Sequence, residues 1–132
     1  MRIKFTEDLL TGVEEMDNQH KKIVDLINKT AERIAAGELQ EAIRIFKEDL
    51  MPFVKYHLEQ EEQFMASINY PEIEEHKRHH KWVIDLFNKI GSSLEDKESA
   101  RQALALVTGW LYGHVGKVDK KYGVYSAAKT LK

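Results

Sequence analysis

Cysteine is absent from the chain, which removes disulfide frameworks, thiolate metal sites and cysteine nucleophiles together. Proline is almost as scarce, with two residues, and there are seven glycines. No apolar run approaches the roughly 18 residues needed to span a bilayer. The N-terminal MRIKFTEDLL meets acidic residues before any apolar stretch, so no secretory signal is expected. Charge of one sign is missing too: 22 acidic residues nearly balance 20 basic ones, for a net charge of -2, and no block of like charge occurs. That excludes the footprint of a nucleic-acid binder or of a protein drawn to an anionic membrane. The expectation is a soluble, cytoplasmic protein of 132 residues forming one domain, 1–132.

Period-two alternation, the mark of a half-buried strand, is also missing. Four amphipathic helical segments are present instead, at about 17–36, 39–67, 71–91 and 97–122. The first carries Val24, Ile27, Ala31 and Ile34 on one stripe and stops at Gly37. The second places Phe46, Leu50, Phe53, His57, Glu61 and Phe64 or Met65 inward. Pro52 lies inside it and is expected to kink it by displacing the Glu48 carbonyl. The third begins near Pro71 with the stripe Ile73, His76, His80, Val83, Phe87 and Ile90. The fourth turns Leu104, Val107, Leu111, His114 and Val118 inward. Short links join the four, which favours antiparallel neighbours. The predicted fold is therefore all-α, an up-down-up-down antiparallel four-helix bundle with an N-terminal arm over residues 1–12. With little net charge and no apolar outer face, it is expected to be monomeric.

Each apolar stripe is interrupted by histidine: His20, His57, His76 with His80, and His114. His79 is rotated off its stripe and is expected to face solvent. Glu61 follows His57 by one helical turn, His80 follows His76 likewise, and Asp119 follows His114 in HVGKVD. In an antiparallel bundle these seven groups fall at one end. A lone inward histidine is more often a hydrogen-bonded core residue than a ligand, and His-x-x-x-Glu or His-x-x-x-His alone is a weak signal. A structural zinc on His76 and His80, or an unliganded histidine pH switch, would explain part of the pattern. Five imidazoles and two carboxylates at one depth are costly to bury unless something coordinates them.

Seven donors exceed one ion. Two six-coordinate ions offer about twelve positions, and five imidazoles, two bridging carboxylates and a bridging oxide or hydroxide fill all but one. By ligand type the set suits iron, copper, zinc or manganese. An open position beside a saturated partner invites a small diatomic ligand. Residues three before each histidine are Asp17, Val54, Ile73, His76, Lys77 and Leu111, so the Glu-x-x-His pairs of carboxylate-rich di-iron enzymes are missing. Binding is thereby favoured over oxygenation.

His20, H57LEQE61, H76KRHH80 and H114VGKVD119, in that order on four helices, resemble the hemerythrin family over nearly the whole chain. TGVEEMDNQHK, EEQFM, NYPEIEEH and WLYGHVGKVDKKY are similar to segments of single-domain bacterial hemerythrins. The resemblance implies a non-haem di-iron centre, two Fe2+/Fe3+ ions with a bridging oxide or hydroxide. His76, His80 and His114 would hold one iron, His20 and His57 the other, and Glu61 and Asp119 would bridge. It also implies reversible dioxygen binding at the open iron as a hydroperoxide, and no enzymatic turnover.

Two features depart from the pattern. Phe5 stands where bacterial members usually carry tryptophan, and His114 and Asp119 are five apart, about 140° round an ideal helix. Both reach one centre only if the helix flanks it or if a local π-type bulge intervenes, and Gly109, Gly113 and Gly116 would permit close approach or distortion, or serve simple tight packing. Ile23, Val24, Phe53 and Val115 are expected to line the ligand pocket. Tyr112, Tyr122 and the nearby acids are the candidates for partners behind the ligands. Oxygen carriage, storage or delivery is the leading function. Oxygen, redox or nitric-oxide sensing, or detoxification, is the alternative, and the lack of an output module after Tyr122 counts against sensing. The reductant or oxygen-consuming partner is not legible.

Overall fold

Glycine and asparagine end two of the helices, because a left-handed residue lets the last carbonyls find donors. In the computed structural model, which describes residues 2–130, α1 covers Glu14–Ala35. Gly37 follows at φ 77, and the amides of Gly37 and Glu38 return to the carbonyls of Ile34 and Arg33 at 3.1 and 2.9 Å. Asn69 does the same for α2, which spans 39–67, at φ 54, with Tyr70 N–H on the Met65 carbonyl at 3.0 Å. The third helix, α3, is Ile73–Gly91 and starts after Pro71 rather than on it. The fourth, α4, runs over 97–130, well past Tyr122. It opens with a reciprocal cap in which Ser99 N–H donates to Asp96 Oδ1 at 2.8 Å and Asp96 N–H to Ser99 Oγ at 3.0 Å. The described residues contain four long helices, a short 3-10 helix at Glu7–Leu9 and no strand. Met1 and residues 131–132 lie outside them.

Two helices carry a widened stretch. In α2, which spans 39–67, Ile45–Leu50 is π-helical and Met51 N–H reaches back to the Phe46 carbonyl. The wide turn stands directly before Pro52, so the ladder widens where proline has no N–H to donate, instead of breaking. In α4 the π stretch is Leu111–Asp119.

The first helix packs on α2 and α4, and α3 packs on the same two. One large apolar cluster, including Ile27, Leu50, Val83, Phe87 and Val107, fills the space between them. A smaller one, Met16, Met65, Tyr70 and Tyr122, lies apart from it. The segment before α1 is pinned by polar contacts. Asn28 accepts from Ile3 N–H at 2.7 Å and donates to the Ile3 carbonyl at 2.8 Å. Asp17, buried, accepts from Thr11 N–H and Oγ1–H at 2.8 Å each and from Gly12 N–H at 3.1 Å. That loop explains why α1 begins at Glu14, ahead of Asp17: the carboxylate closes the loop instead of capping the helix.

Gly123 lies against the Thr11 carbonyl so closely that a Cβ there would collide with backbone, whereas nothing lies within 4 Å of one on Gly109. Gly123→Ala is expected to destabilise the fold by about 1–3 kcal/mol, and Gly109→Ala to leave it unchanged or raise it by up to about 1 kcal/mol. Urea unfolding at equal metal content measures both.

Candidate metal centre

Five imidazoles and two carboxylates from four helices meet in the interior. His20 comes from α1, His57 and Glu61 from adjacent turns of α2, His76 and His80 from adjacent turns of α3, and His114 and Asp119 from α4. All seven are buried, and Glu61 and Asp119 have no exposed surface. The π stretch is what brings the last two together. Its hydrogen bonds span five residues, so His114 and Asp119 lie nearly in line. The same shift turns Val115 fully inward and leaves Val118 half-buried. Gly116 lies only in ordinary contact with Asp8 and Leu9, and nothing crowds Gly109 or Gly113. Distortion of the helix, rather than tight packing of these glycines, accounts for the geometry.

The donor atoms divide into two sets, each within 4.8 Å of one another. Around Glu61 Oε1 and Asp119 Oδ1 stand His80 Nε2, 2.8 Å from the former, His114 Nε2, 2.9 Å from the latter, and His76 Nε2, 3.1 and 3.0 Å from the two. Around Glu61 Oε2 and Asp119 Oδ2 stand His57 Nε2 at 3.3 Å from the former and His20 Nε2 at 3.3 Å from the latter. Each carboxylate thus gives one oxygen to each set.

These spacings fit ions better than hydrogen bonds. Donors roughly 2.1 Å from one ion are about 3 Å apart along the edges of an octahedron. The Nε2 atoms of His20 and His57 face each other at 2.9 Å, as do those of His76 and His114 at 3.1 Å. Both Asp119 oxygens are buried without a hydrogen-bond partner, although imidazole nitrogens lie within 3.3 Å. Nitrogen and oxygen stand side by side, as ligands of a common cation do.

Outside the cluster, Gln19 Oε1 accepts from His57 Nδ1 at 2.6 Å and Glu62 Oε2 from His80 Nδ1 at 2.8 Å. Each bond leaves Nε2 as the lone-pair nitrogen facing the cluster. Tyr122 donates to Glu61 Oε2 at 2.8 Å. Tyr112, also a candidate in the sequence, is exposed and lies 3.4 Å from the Lys4 carbonyl, away from the cluster. Gln19 was not predicted, and Glu62 fell only among the nearby acids taken as candidates. Their signal was adjacency: each neighbours a cluster residue in sequence but serves a histidine on the next helix. Trp110 stacks on His114 with ring centroids 5.7 Å apart. His79 is exposed, as predicted. Ile23, Val24 and Val115 are buried in the main apolar cluster, with Phe53 and Phe5 packed against it and half-buried.

Burial pushes the imidazoles of His20 and His114 down, but the Asp119 and Glu61 carboxylates outweigh it and raise them to about 9 and about 10. His76 is raised against burial by the same carboxylates. Glu61 is held low against burial by His57 and its neighbours, and Asp119 low against burial and Glu61 by His114 and His20. A histidine raised from its ordinary 6.5 stabilises the fold fully below that value, and the contribution is lost as pH rises through the folded value. Chelator-stripped protein is therefore expected to lose stability towards pH about 9 to 10 while metal-loaded protein keeps it, in unfolding curves taken across that range. Removing an outer partner, as in Gln19→Leu or Glu62→Leu, is expected to weaken metal affinity by about 10- to 100-fold in chelator competition.

The comparisons with known proteins agree with this geometry. The family model for the hemerythrin HHE cation binding domain matches residues 11–124. A bacteriohemerythrin of Methylococcus capsulatus is 32% identical over 117 residues, 86% of this chain and 87% of that protein. One from Pseudomonas aeruginosa is 30% identical over 119 residues, 89% of this chain and 77% of that protein. A hemerythrin-like protein of Naegleria gruberi is 32% identical over 113 residues, 84% and 82% of the two chains. With a buried histidine–carboxylate cluster inside a helical bundle and a family match over most of its length, the chain belongs to the hemerythrin family.

Proposed function

We propose that His20, His57, Glu61, His76, His80, His114 and Asp119 hold two iron ions with an oxide or hydroxide between them, and that the protein binds dioxygen reversibly there as a carrier, store or delivery protein. Bound ferrous iron supplies the electrons that dioxygen needs to bind. The observation that carries the reading is the division of donors, in which the two oxygens of Glu61 and the two of Asp119 each face separate histidine sets. The set with three histidines would be saturated. The set with His20 and His57 has fewer donors and would keep the open position.

The protein's own residues have distinct tasks in this reading. Glu61 and Asp119 would each offer one oxygen to either ion and offset their charge. Gln19 and Glu62 orient His57 and His80, and Tyr122 orients Glu61 through its hydroxyl. Ile23, Val24, Phe53 and Val115 belong to the apolar packing around the cluster and would line the ligand pocket and keep water from it. The same reading takes the chain, 1–132, as one domain, an up-down-up-down antiparallel bundle with residues 1–12 as an arm along its side, acting as a cytoplasmic monomer and not as an enzyme. No helix among the described residues is long and apolar enough to cross a membrane.

An anaerobic ferrous preparation with iron counted per chain, then its visible spectrum as air and argon are admitted in turn, tests the reading. Two irons and a charge-transfer spectrum that appears with air and fades under argon are expected. Direct passage to a ferric form would move the function to redox or nitric-oxide sensing or detoxification. Fewer than two irons, or zinc alone, would sink it.

A further inference from the structure

Two cavities among the described residues reach histidines of the cluster, and they differ in chemistry. One, of about 410 Å³, lies between α3 and α4 and has His114 in its wall, with Trp82, Leu86, Leu106 and Trp110 around it. The other, of about 50 Å³, has His76 in its wall. Tyr70, Glu72, Glu75, His79 and Lys121 complete most of that wall. A hydrated divalent ion sheds water at great cost against apolar walls, and at far less cost among carboxylates and imidazoles that replace it. The smaller cavity is the one suited to such an ion.

His76 joins that cavity to the cluster. It is only 3% exposed, and its Nε2 stands 3.1 and 3.0 Å from Glu61 Oε1 and Asp119 Oδ1. No other imidazole of the cluster lies so close to both carboxylates. His57 and His80 are held from outside by Gln19 and Glu62, whereas His76 Nδ1 has no hydrogen-bond partner among the described residues. Nothing on its outer edge therefore holds the ring against rotation. At the mouth, the Tyr70 hydroxyl donates to Glu72 Oε2 at 3.2 Å and fixes that carboxylate. Glu75 and His79 are four apart on α3 and share a face with the cavity. Glu72, Glu75 and His79 belong to neither of the close donor sets, so they are placed to pass an ion on and not to keep it.

We propose that Glu72, Glu75 and His79 form the port through which ferrous ions enter the protein, with His76 handing each ion from the port to Glu61 and Asp119. The inference rests on the reading that the cluster holds iron. The carboxylates draw the hydrated cation to the mouth, and Glu75 and His79 replace part of its water. His76 then takes the ion and releases it to the carboxylates beyond. Only ligands are exchanged, and no electron moves. Lys121, exposed on the α4 side of the same cavity, repels the incoming charge and slows entry.

Final iron content of the unaltered protein is measured first. Chelator-stripped protein is then mixed anaerobically with ferrous sulfate, and uptake is stopped at intervals with a coloured ferrous chelator. Glu72→Gln combined with Glu75→Gln is expected to slow uptake roughly 10-fold. Release from loaded protein slows by about the same factor, so final iron content stays unchanged. His79→Gln slows both rates as well, and Lys121→Gln quickens both. Glu74→Gln makes the same change of charge beside Glu75, but Glu74 pairs with Lys77 at 3.9 Å and lies outside the cavity wall. It is expected to leave both rates alone. Unchanged uptake in the double variant, equal slowing in Glu74→Gln, or faster release with lower final content would each overturn the port and leave the two-iron reading intact. Unaltered protein that takes up no iron would overturn both.

Discussion

Two carboxylates without exposed surface, Glu61 and Asp119, sit among five imidazoles, and the rest of the molecule is arranged around that burial. Ionised groups taken out of water cost several kcal/mol each unless partners of opposite charge surround them. Here the compensation is collective. Imidazoles from all four helices are drawn towards the carboxylates, and two of them are raised to about 9 and about 10 by that attraction. A cation between the donor sets would replace those protons and supply the partner that both Asp119 oxygens lack.

The helices bend their own rules to serve this cluster. Regular α geometry would put His114 and Asp119 on different faces, so α4 widens over Leu111–Asp119. The widened turn in α2 has a different origin, since it precedes Pro52 and accommodates a missing donor. The loop closed by Asp17 and the close approach of Thr11 to Gly123 tie the start of the chain to the far part of α4. Buried polar contacts through Asp17 and Asn28 hold the start of the chain, while apolar packing fills most of the remaining interior.

Gln19 and Glu62 set which imidazole nitrogen faces the cluster, and Tyr122 couples Glu61 to an aromatic column that leads outward through Tyr70. The cluster is therefore joined to its surroundings by proton-accepting contacts on one side and by a stacked but unpartnered indole on the other.

Much of this was legible in the chain. Helical periodicity placed His20, His57, Glu61, His76 and His80 on inward stripes, because residues three and four apart share a face. The ligand-type residues, the absence of cysteine and the helical class followed from local sequence. The meeting of His114 with Asp119 was legible only as a conditional, since a five-residue spacing fits one face only when the helix widens. Which histidines Gln19 and Glu62 serve was illegible, as each acts on a histidine of the neighbouring helix and depends on how two helices are rotated against each other. So did the pairing of each carboxylate oxygen with its own histidine set. Sequence determined which groups would be buried together, through periodicity within each helix; the tertiary structure alone decided which atoms would touch, because that depends on the rotation and widening of whole helices.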